Sequence, residues 1–598
     1  MGKVDPSFGG GLFYFPDDGL PLPKRRKVIE PERPLIMASQ FLGGPLTIDA
    51  SPVLVAYTTA NSEVAPFSFR HPAAPATVQA ATLTVDRPIH IAQPREVLDS
   101  ARSRAVLKRV LETVPALIAL TVISSLVWGP IFAPLPFAIC LVSFHAYWLW
   151  RAHMTGIHAF KGFLLLRRHK KTDWKERYEQ HRAEGKPCLR WDDIRHIVII
   201  PNYTESADKL RMCLDSLAAS EAAHTIIAVL AMEEREGAEG RRRANTLVGE
   251  YQSRVGGIFA TYHPWGIPDE IAGKSSNENW AARRAKEYVV DRGGHDIEHL
   301  TITSCDADTV FDSKYFSCLT YNFATDPNRY RRFWQGPILY YNNIWEVPAP
   351  LRLPHALAGL NHLGRLSRSF MRNVFPQSTY SLSLRMAHEA GYWDPDTIPE
   401  DWHMFLKCYY QLGGDVDVET MYTPIYMDGI RSRTYARTFV SYFEQARRHA
   451  WGCTDIPYAV QQVIDHPEIS VPARLRRLWA LCESHFLWST QWFLVTAGRA
   501  VPLFLVSLGL TDMPEWLPFT SRWLLTPCAG PLLLMIFLDA IMRPKRPASF
   551  RWWHFPFQYA QWFLMAIITF FSSALPALDA QIRLALGKRL EYKVTEKA

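Results

Sequence analysis

Between residues 190 and 430, short apolar runs alternate with stretches of helical periodicity. Runs of this length, bounded by polar and turn-forming residues, are typical of buried strands. The predicted strands are residues 196–200, 225–230, 257–261 and 300–304. Helical patterns such as 207–219 and 278–291 lie between them. The alternation predicts an α/β fold with a mostly parallel sheet and helices on both faces. Ligands of such sheets bind beyond the carboxyl ends of the strands.

Longer apolar runs flank this region on both sides. Residues 110–128 and 131–150 are separated by Gly129-Pro130, and each is near the length that crosses a bilayer. A buried helical hairpin of a soluble protein is the alternative. Basic residues on both outer flanks, and none between the runs, favour a membrane hairpin with both ends in the cytosol. Three further spans are predicted near residues 489–510, 524–542 and 555–575.

The side of the C-terminal tail is left open by the charge pattern. The basic loop 543–551 indicates a cytosolic position, so that a simple count of spans puts the tail outside. The basic sequence Gly587-Lys588-Arg589 instead favours a cytosolic tail. One C-terminal segment would then lie in the membrane interface.

Composition narrows the class of protein. Of the 598 residues, 48% are hydrophobic and 21% charged, which excludes a disordered chain. Residues 1–95 are rich in Pro, Ala, Thr and Ser without periodicity, and a disordered tail is predicted there. The net charge of +8 gathers beside apolar segments, which indicates membrane flanks and no nucleic-acid partner. The nine cysteines are scattered, which predicts free thiols in a reducing compartment.

Asp306-Ala307-Asp308 directly follows the fourth predicted strand. Two carboxylates one residue apart at a strand end can meet a divalent cation, Mg²⁺ or Mn²⁺, together with a ribose or diphosphate. The metal would neutralise a departing diphosphate. The alternative is an acidic loop in which Asp308 caps the following element.

Lys274 and Asn277 precede a helical stretch. Lysine offers a point charge to a phosphate, and asparagine can cap a helix. A capping sequence without a ligand explains Ser275-Ser276-Asn277-Glu278 equally well.

Glu400-Asp401 begins a second helical run after Pro399. Sugar transfer with inversion needs one carboxylate that takes a proton from the acceptor hydroxyl, and Asp401 is the candidate. Stabilisation of a helix N-terminus is the alternative, and it suits Glu400 at least as well.

Residues 445–451 place an amide, a guanidinium and an aromatic group on one short helix. Arg448 could clamp a diphosphate, and Trp451 could stack against a sugar. A basic helix on a membrane surface is the alternative.

Taken together, these segments resemble the membrane-embedded glycosyltransferase family 2, which contains the cellulose, chitin and hyaluronan synthases. The resemblance covers residues 190–598. It implies that Tyr203 and Glu205 contact the nucleoside and that Asp306 and Asp308 bind metal and nucleotide. It also implies that Asp401, beside Glu400, is the catalytic base. The remaining donor-binding candidates are Glu233, Glu234, Lys274, Asn277, Gln445 and Arg448, and the acceptor candidates are Trp402, His449 and Trp451.

The sequence departs from the family at two of these places. Glu233 and Glu234 stand where a base-contacting Asp is usual, which leaves the nucleotide identity open. His449 stands at the family's acceptor-lining tryptophan, and Trp451 follows two residues later. The resemblance therefore implies sugar transfer but leaves open whether the enzyme adds successive sugars to one chain.

The resemblance implies a GT-A-like catalytic domain joined to a transmembrane helical region. The predicted order is a tail (1–95), two transmembrane helices with a cytosolic linker (96–189), the catalytic domain (190–430), clamp and interfacial helices (431–488), and C-terminal transmembrane helices with a basic tail (489–598).

The implied enzyme is a multi-pass protein of the plasma membrane with a cytosolic catalytic domain. It uses a nucleotide-sugar donor, with a UDP-sugar expected, and a glycan acceptor, and is a polysaccharide synthase. The alternatives are a non-processive transferase to a lipid acceptor and a non-catalytic membrane scaffold or transport component. The sequence does not give the oligomeric state.

Overall fold

The four predicted strands form the parallel part of one mixed sheet. The computed structural model describes residues 101–371, 373–548, 551, 556 and 559–590, so the predicted tail 1–95 and residues 591–598 lie outside the described residues. The strands are β1 Arg195–Pro201, β2 Ile226–Glu233, β3 Gly257–His263, β4 Leu300–Ser304, β5 Val310–Phe311, β6 Arg332–Gln335, β7 Ile338–Leu339, β8 Tyr380–Ser383, β9 Asp417–Thr420 and β10 Ile425–Tyr426.

The main sheet has the order β3-β2-β1-β4-β8-β6-β9. Strands β3, β2, β1 and β4 are parallel, with His196 opposite Ile226 and Thr301. Strand β8 runs antiparallel to both β4 and β6, and β9 is parallel to β6. A second sheet, β5-β10-β7, is built from two-residue strands. The prediction of a mostly parallel α/β sheet is confirmed.

Helices cover both faces of the main sheet. Further helices precede the first strand and follow the last strand in the sequence. They are α1 Ala101–Phe132, α2 Pro134–His169, α3 Trp174–Ala183, α4 Ala207–Ala218, α5 Gly237–Tyr251, α6 Lys274–Lys286, α7 Tyr315–Thr325, α8 Ala349–Leu366, α9 Leu384–Glu389, α10 Glu400–Gln411, α11 Tyr435–Ala450, α12 Asp455–Asp465, α13 Val471–Trp492, α14 Gly498–Ser507, α15 Trp516–Leu525, α16 Ala529–Met542, α17 Met565–Thr569 and α18 Leu575–Ala585.

The apolar run of β1 is continuous because both faces of this strand are covered. Side chains alternate along a strand, and Ile197 and Ile199 belong to one core while Val198 and Ile200 belong to the other. The first core includes residues of α6 and α10, and the second includes residues of α4 and α7. The sheet is thereby fixed between two helical layers, with the carboxyl ends of its parallel strands at one edge.

Two predicted helix boundaries are wrong. The chain does not break at Gly129-Pro130, because the backbone N–H of Ala133 donates to the Gly129 carbonyl and closes another turn. The break comes at Ala133, which has a non-helical backbone and precedes Pro134, the first residue of α2. Helix α6 starts at Lys274, so Lys274 and Asn277 lie within its first turn and do not precede it.

Within the described residues, three helical stretches are long and apolar enough to cross a membrane: Arg104–Phe132, Trp516–Met542 and Gln561–Ala585. They contain or overlap the predicted spans 110–128, 524–542 and 555–575. The predicted span 131–150 lies on α2, and the predicted span 489–510 runs from α13 through α14. Neither of these two is among the three stretches.

Glycines allow α2 to approach α8 closely. A Cβ atom on Gly364 of α8 would lie 2.9 Å from the Thr155 carbonyl oxygen of α2. A Cβ atom on Gly162 of α2 would lie 2.7 Å from Leu363 Cδ1 of α8. Both distances are shorter than a Cβ atom tolerates without movement, so neither glycine has room for a side chain at this crossing. This crossing joins the α8 insertion of the sheet domain to the long helix α2.

We expect Gly364→Ala to lower the free energy of unfolding by about 1–3 kcal/mol, because the added methyl group meets backbone atoms that cannot yield. The control is Gly249→Ala on α5, where a Cβ atom would have no neighbour within 4 Å. That change should stabilise by about 0.5–1 kcal/mol through helix propensity alone. Thermal unfolding of the two variants measures the difference, and equal shifts would contradict the close crossing.

Candidate functional site

A cavity of about 1310 Å³ opens at the carboxyl ends of the parallel strands and extends between the helices. It brings together most of the residues singled out in the sequence. Those lining it are Tyr203, Glu205, Glu233, Lys274, Asn277, Asp306, Asp308, Glu400, Asp401, Trp402, Gln445, Arg448 and His449. Glu234 and Trp451 do not line it.

The two aspartates of the Asp306-Ala307-Asp308 sequence lie just beyond β4. The backbone N–H of Asp306 donates to Thr379 Oγ1 at 3.2 Å, and its carboxylate accepts from the Ser378 hydroxyl. The carboxylate of Asp308 accepts from the backbone N–H of Asp428 at 3.1 Å. The segment that precedes β8 therefore holds Asp306, and the segment between β10 and α11 holds Asp308. Both side chains face the cavity.

The chemistry of this pair fits a divalent cation. The described residues contain no group of three or more His, Cys, Asp or Glu side chains arranged around a metal position. Two carboxylates at the wall of a large cavity are nevertheless what Mg²⁺ commonly takes from a protein, since substrate phosphates and water complete its shell. Asp306 and Asp308 supply these hard oxygen ligands, with Asp306 28% exposed.

Lys274 occupies the centre of a buried charge cluster. Its Nζ lies 2.6 Å from Asp306 Oδ1, 2.7 Å from Glu400 Oε1 and 3.8 Å from Glu278 Oε1. Burial opposes its charge, but these carboxylates hold the pKa of Lys274 well above its ordinary value. Burial raises the pKa of Glu278 to about 8, while Lys274 acts in the opposite direction. The lysine thus holds the Asp306 segment and the start of α10 together.

We expect Lys274→Met to lower the free energy of unfolding by about 3–5 kcal/mol, because removing one partner leaves buried carboxylates uncompensated. The matched control is Lys286→Met on the same helix, whose partner Asp291 is 47% exposed. The control should change stability by at most about 1 kcal/mol. Adding Glu278→Gln to Lys274→Met should recover part of the loss in chemical denaturation. A Lys274→Met variant as stable as its control would contradict the cluster.

The carboxylate of Asp401 is positioned by backbone groups on both oxygens. Oδ2 accepts from the Ser378 N–H at 3.0 Å, and Oδ1 accepts from the Trp402 N–H at 2.8 Å. Burial raises the pKa of Asp401 to about 7, and the charge of Glu400 acts in the same direction. Both residues stand in the first turn of α10, so they also meet the helix N-terminus as the alternative interpretation required. Asp401 nevertheless has the pKa of a base that works near neutral pH.

The candidate nucleoside residues lie beyond β1 and β2. The guanidinium carbon of Arg235 lies 3.8 Å from the centroid of the Tyr203 ring, and its Nε lies 3.4 Å from Glu233 Oε2. Burial raises the pKa of Glu205 to about 7. Glu234 instead points away from the cavity, with its side chain 50% exposed and paired with Arg241. The prediction that Glu234 contacts the donor is wrong, because Glu234 begins the 3₁₀ turn Glu234–Glu236 that follows β2 and does not line the cavity.

The sequence suggested Asn277 as a cap of α6, but the N-cap position of this helix is Gly273. The N–H of Gly273 donates to Ser276 Oγ at 3.3 Å at this end of the helix. Asn277 Nδ2 donates to the Ala231 carbonyl of β2 at 2.8 Å, while its Oδ1 is buried without a hydrogen-bond partner. A buried acceptor without a donor at a cavity wall is a position that a ligand can satisfy.

Gln445, Arg448 and His449 line the cavity from α11, as expected of a clamp. The buried Oε1 of Gln445 has no hydrogen-bond partner. Trp451 is only 5% exposed and packs in the core with Ala450, Cys453 and Ile456. The predicted stacking of Trp451 on an acceptor sugar is therefore wrong. Trp402 lines the cavity and stacks on Phe375, with ring centroids 4.8 Å apart.

Ser378 is the site residue that the sequence did not reveal. Its hydroxyl donates to Asp306, its N–H donates to Asp401, and its carbonyl accepts from Lys274 Nζ at 2.9 Å. Its backbone has φ of +55°, a strained conformation for a residue with a Cβ atom. No local pattern distinguishes it, because its role comes from the antiparallel strand β8 that places it beside β4.

Comparison with known proteins gives one family match. Residues 301–571 match the model of the family described as glycosyl transferase family group 2. No curated protein sequence matches the chain significantly. The match indicates a glycosyltransferase, and the matched range includes Asp306, Asp401 and Gln445.

The chain also has low similarity to solved structures, including the following three. The mannosyltransferase PcManGT from Pyrobaculum calidifontis, solved with GDP-Man and Mn²⁺, has 14% identity and a TM-score of 0.39, covering 76% of this chain and 99% of that chain. Residues 1–349 of TarS from S. aureus have 11% identity and a TM-score of 0.29, covering 58% and 90%. GalNAc-T7 with UDP, GalNAc and Mn²⁺ has 10% identity and a TM-score of 0.27, covering 51% and 58%.

Proposed function

We propose that this glycosyltransferase is a membrane-bound, inverting enzyme that moves a sugar from a UDP-sugar to a glycan acceptor. The observation that carries the proposal is the continuity of the cavity. Its wall includes Asp306 and Asp401 at the sheet and continues to Trp488 and Thr569 on the helices. A donor held at the strand ends and an acceptor entering from the helices would meet beside Asp401.

The proposed reaction is a single displacement at the sugar carbon. Asp401 accepts the proton of the acceptor hydroxyl, which then attacks from the face opposite the leaving diphosphate and inverts the configuration. The hydrogen bonds from Ser378 and Trp402 fix the orientation of this carboxylate. Lys274 and Arg448 bring positive charge to the wall that would face the diphosphate.

Asp306 and Asp308 are proposed to hold a divalent cation, Mg²⁺ or Mn²⁺, which when bound would neutralise charge on the departing diphosphate. Tyr203 and Glu205 would contact the nucleoside, with Glu233 acting through Arg235. Asn277 Oδ1 and Gln445 Oε1 are the buried acceptors that the donor could satisfy.

The part of the cavity between the helices is proposed to hold the acceptor. The enzyme is proposed to be a protein of the plasma membrane whose catalytic domain lies in the cytosol. Two of the three apolar stretches, Trp516–Met542 and Gln561–Ala585, contribute wall residues such as Leu525, Leu532 and Met565. This wall would accommodate a growing polysaccharide or the chain of a lipid acceptor. Product size separates these two acceptors, because a processive synthase makes long chains that elute early in gel filtration.

The test is a screen of nucleotide sugars with the full-length protein in detergent and Mg²⁺ or Mn²⁺. Released nucleotide diphosphate is measured, and UDP release is expected from one UDP-sugar. If another nucleotide is released, the donor assignment is wrong while the reaction class stands. If no donor is consumed under any condition, the non-catalytic scaffold or transport component becomes the better account.

Arg448 should contribute to donor binding through a charge-assisted contact with phosphate. We expect Arg448→Ala to weaken binding by about 1.5–3 kcal/mol, seen as a higher KM for the donor. The control is Arg437→Ala on the same helix, where the Arg437 side chain is 50% exposed. Its donor KM should not change. An unchanged donor KM in Arg448→Ala would remove this residue from the clamp.

A further inference from the structure

Three arginines line the cavity on the side of α2 and α8, away from the strand ends. They are Arg151 on α2 and Arg365 and Arg368 at the end of α8. Burial, together with the charges of Arg151 and Arg368, lowers the pKa of Arg365 to about 10. Arg151 likewise lowers the pKa of Arg368, after burial. The charges of the three guanidinium groups therefore act on one another across a short distance.

Only one carboxylate pairs with this cluster among the described residues. Glu483 Oε1 lies 2.5 Å from Arg151 Nη1 and also accepts from the Tyr147 hydroxyl. Arg365 and Arg368 form no ion pair with a described carboxylate. Arg368 is 8% exposed, and its Nε is buried without a hydrogen-bond partner. The charge of Glu483 also acts on Arg365 and Arg368, but one carboxylate faces three guanidinium groups. The excess positive charge at the cavity wall is costly unless an anion binds there.

The cluster adjoins the acceptor side of the reaction centre. The guanidinium carbon of Arg365 lies 5.6 Å from the centroid of the Trp402 ring, and Trp402 follows the candidate base Asp401. The candidate nucleoside residues Tyr203 and Glu205 instead follow β1. An anion on the arginines would therefore lie on the Trp402 side of the cavity, where the acceptor is proposed to enter.

The cavity wall beyond the cluster is apolar. Leu525, Leu532, Met535 and Met565 line it, and all four lie on stretches long and apolar enough to cross a membrane. A ligand that reaches both surfaces needs an anionic head and a hydrocarbon chain. Guanidinium groups suit phosphate because their planar donors match its oxygens.

We propose that Arg151, Arg365 and Arg368 bind the phosphate of a lipid-linked acceptor whose hydrocarbon chain follows the apolar wall. This proposal rests on the proposed transferase function and names its acceptor class. It favours transfer to a lipid-linked glycan over extension of a free polysaccharide.

The experiment titrates the full-length protein in phosphatidylcholine nanodiscs with farnesyl phosphate, farnesol and inorganic phosphate, without a donor. We expect farnesyl phosphate to bind at least about tenfold more tightly than either other probe, since it alone uses both surfaces. Equal affinity for farnesol would overturn the phosphate subsite. Equal affinity for inorganic phosphate would show a site for free phosphate and would contradict a lipid-linked ligand.

Variants assign the binding to the arginines. Arg365→Gln and Arg368→Gln should each weaken farnesyl phosphate binding about ten- to a hundredfold without changing farnesol binding. Arg368→Lys should recover part of the loss. Arg167→Gln, an exposed position on the same helix as Arg151, is the control and should bind as the wild type does. If the glutamine variants lose UDP binding but keep farnesyl phosphate binding, the cluster serves the donor and the proposal fails.

The proposed acceptor class can fail while the proposed transferase function stands. Donor turnover with no preference for farnesyl phosphate leaves a transferase and removes this acceptor class. Should Arg368→Gln not fold, the comparison of the three probes on the wild type still decides.

Discussion

Asp306→Asn and Asp308→Asn will each reduce release of nucleotide diphosphate about a thousandfold. The reason is that a divalent cation between these carboxylates and the diphosphate supplies several kcal/mol of charge stabilisation. Asparagine keeps the shape of the side chain and its hydrogen-bonding oxygen. The fold should therefore persist, because both side chains face the cavity. A chelator should have the same effect on the wild type, and added Mn²⁺ should reverse it.

The control for this pair is Asp296→Asn. Asp296 precedes the same strand at its opposite end, and its side chain is 57% exposed. This variant should release diphosphate at the wild-type rate. Full turnover in a chelator, or in either Asn variant with an unchanged melting temperature, would show that the reaction does not use a metal at these residues.

The parallel half of the sheet could be predicted because its sequence pattern has a single physical explanation. Strands β1 and β2 are buried on both faces, so they consist of almost unbroken apolar residues. Such runs indicate buried strands when they are short, bounded by polar or turn-forming residues and rich in β-branched side chains. The candidate metal and nucleoside residues followed from the same pattern, since they stand where these strands end.

The antiparallel half could not be predicted, because its buried residues are partly polar. Strand β8 has the sequence Tyr380-Ser381-Leu382-Ser383 and is buried throughout. Ser381 is tolerated there because its hydroxyl lies 2.8 Å from that of Thr303 on β4. Neither serine would be assigned to a core from hydropathy alone. Ser378, two residues before this strand, was missed for the same reason.

The clamp was half predictable. Gln445 and Arg448 were found because helical spacing places them on one face of α11, and both line the cavity. Trp451 was misplaced because α11 ends at Ala450, and the next turn directs the tryptophan into the core. Helix ends are set by tertiary packing as much as by local sequence, so the direction of a residue just beyond one is hard to predict.

Asp401→Asn is expected to lower turnover about 10²- to 10⁴-fold while donor affinity stays near the wild-type value. Asparagine keeps the size of the side chain, but its single oxygen can accept from only one of the Ser378 and Trp402 N–H groups, and it cannot take the proton of the acceptor hydroxyl. Turnover and a donor titration on the same preparation measure the two effects. An active Asp401→Asn variant beside an inactive Glu400→Gln variant would reverse the assignment of the base.

The pH profile gives the sharper form of this test. Because the base must be ionised, kcat/KM of the wild type should rise with pH through the pKa of Asp401, which is about 7. Burial raises that pKa first, and the Glu400 charge raises it further. Glu400→Gln removes this charge and frees Lys274, which is 2.7 Å from Glu400 Oε1, to stabilise the ionised form of Asp401. The rising limb of Glu400→Gln should therefore move to lower pH, whereas Asp401→Asn should lose it. A limb that stays in place in both variants would mean that another group accepts the proton.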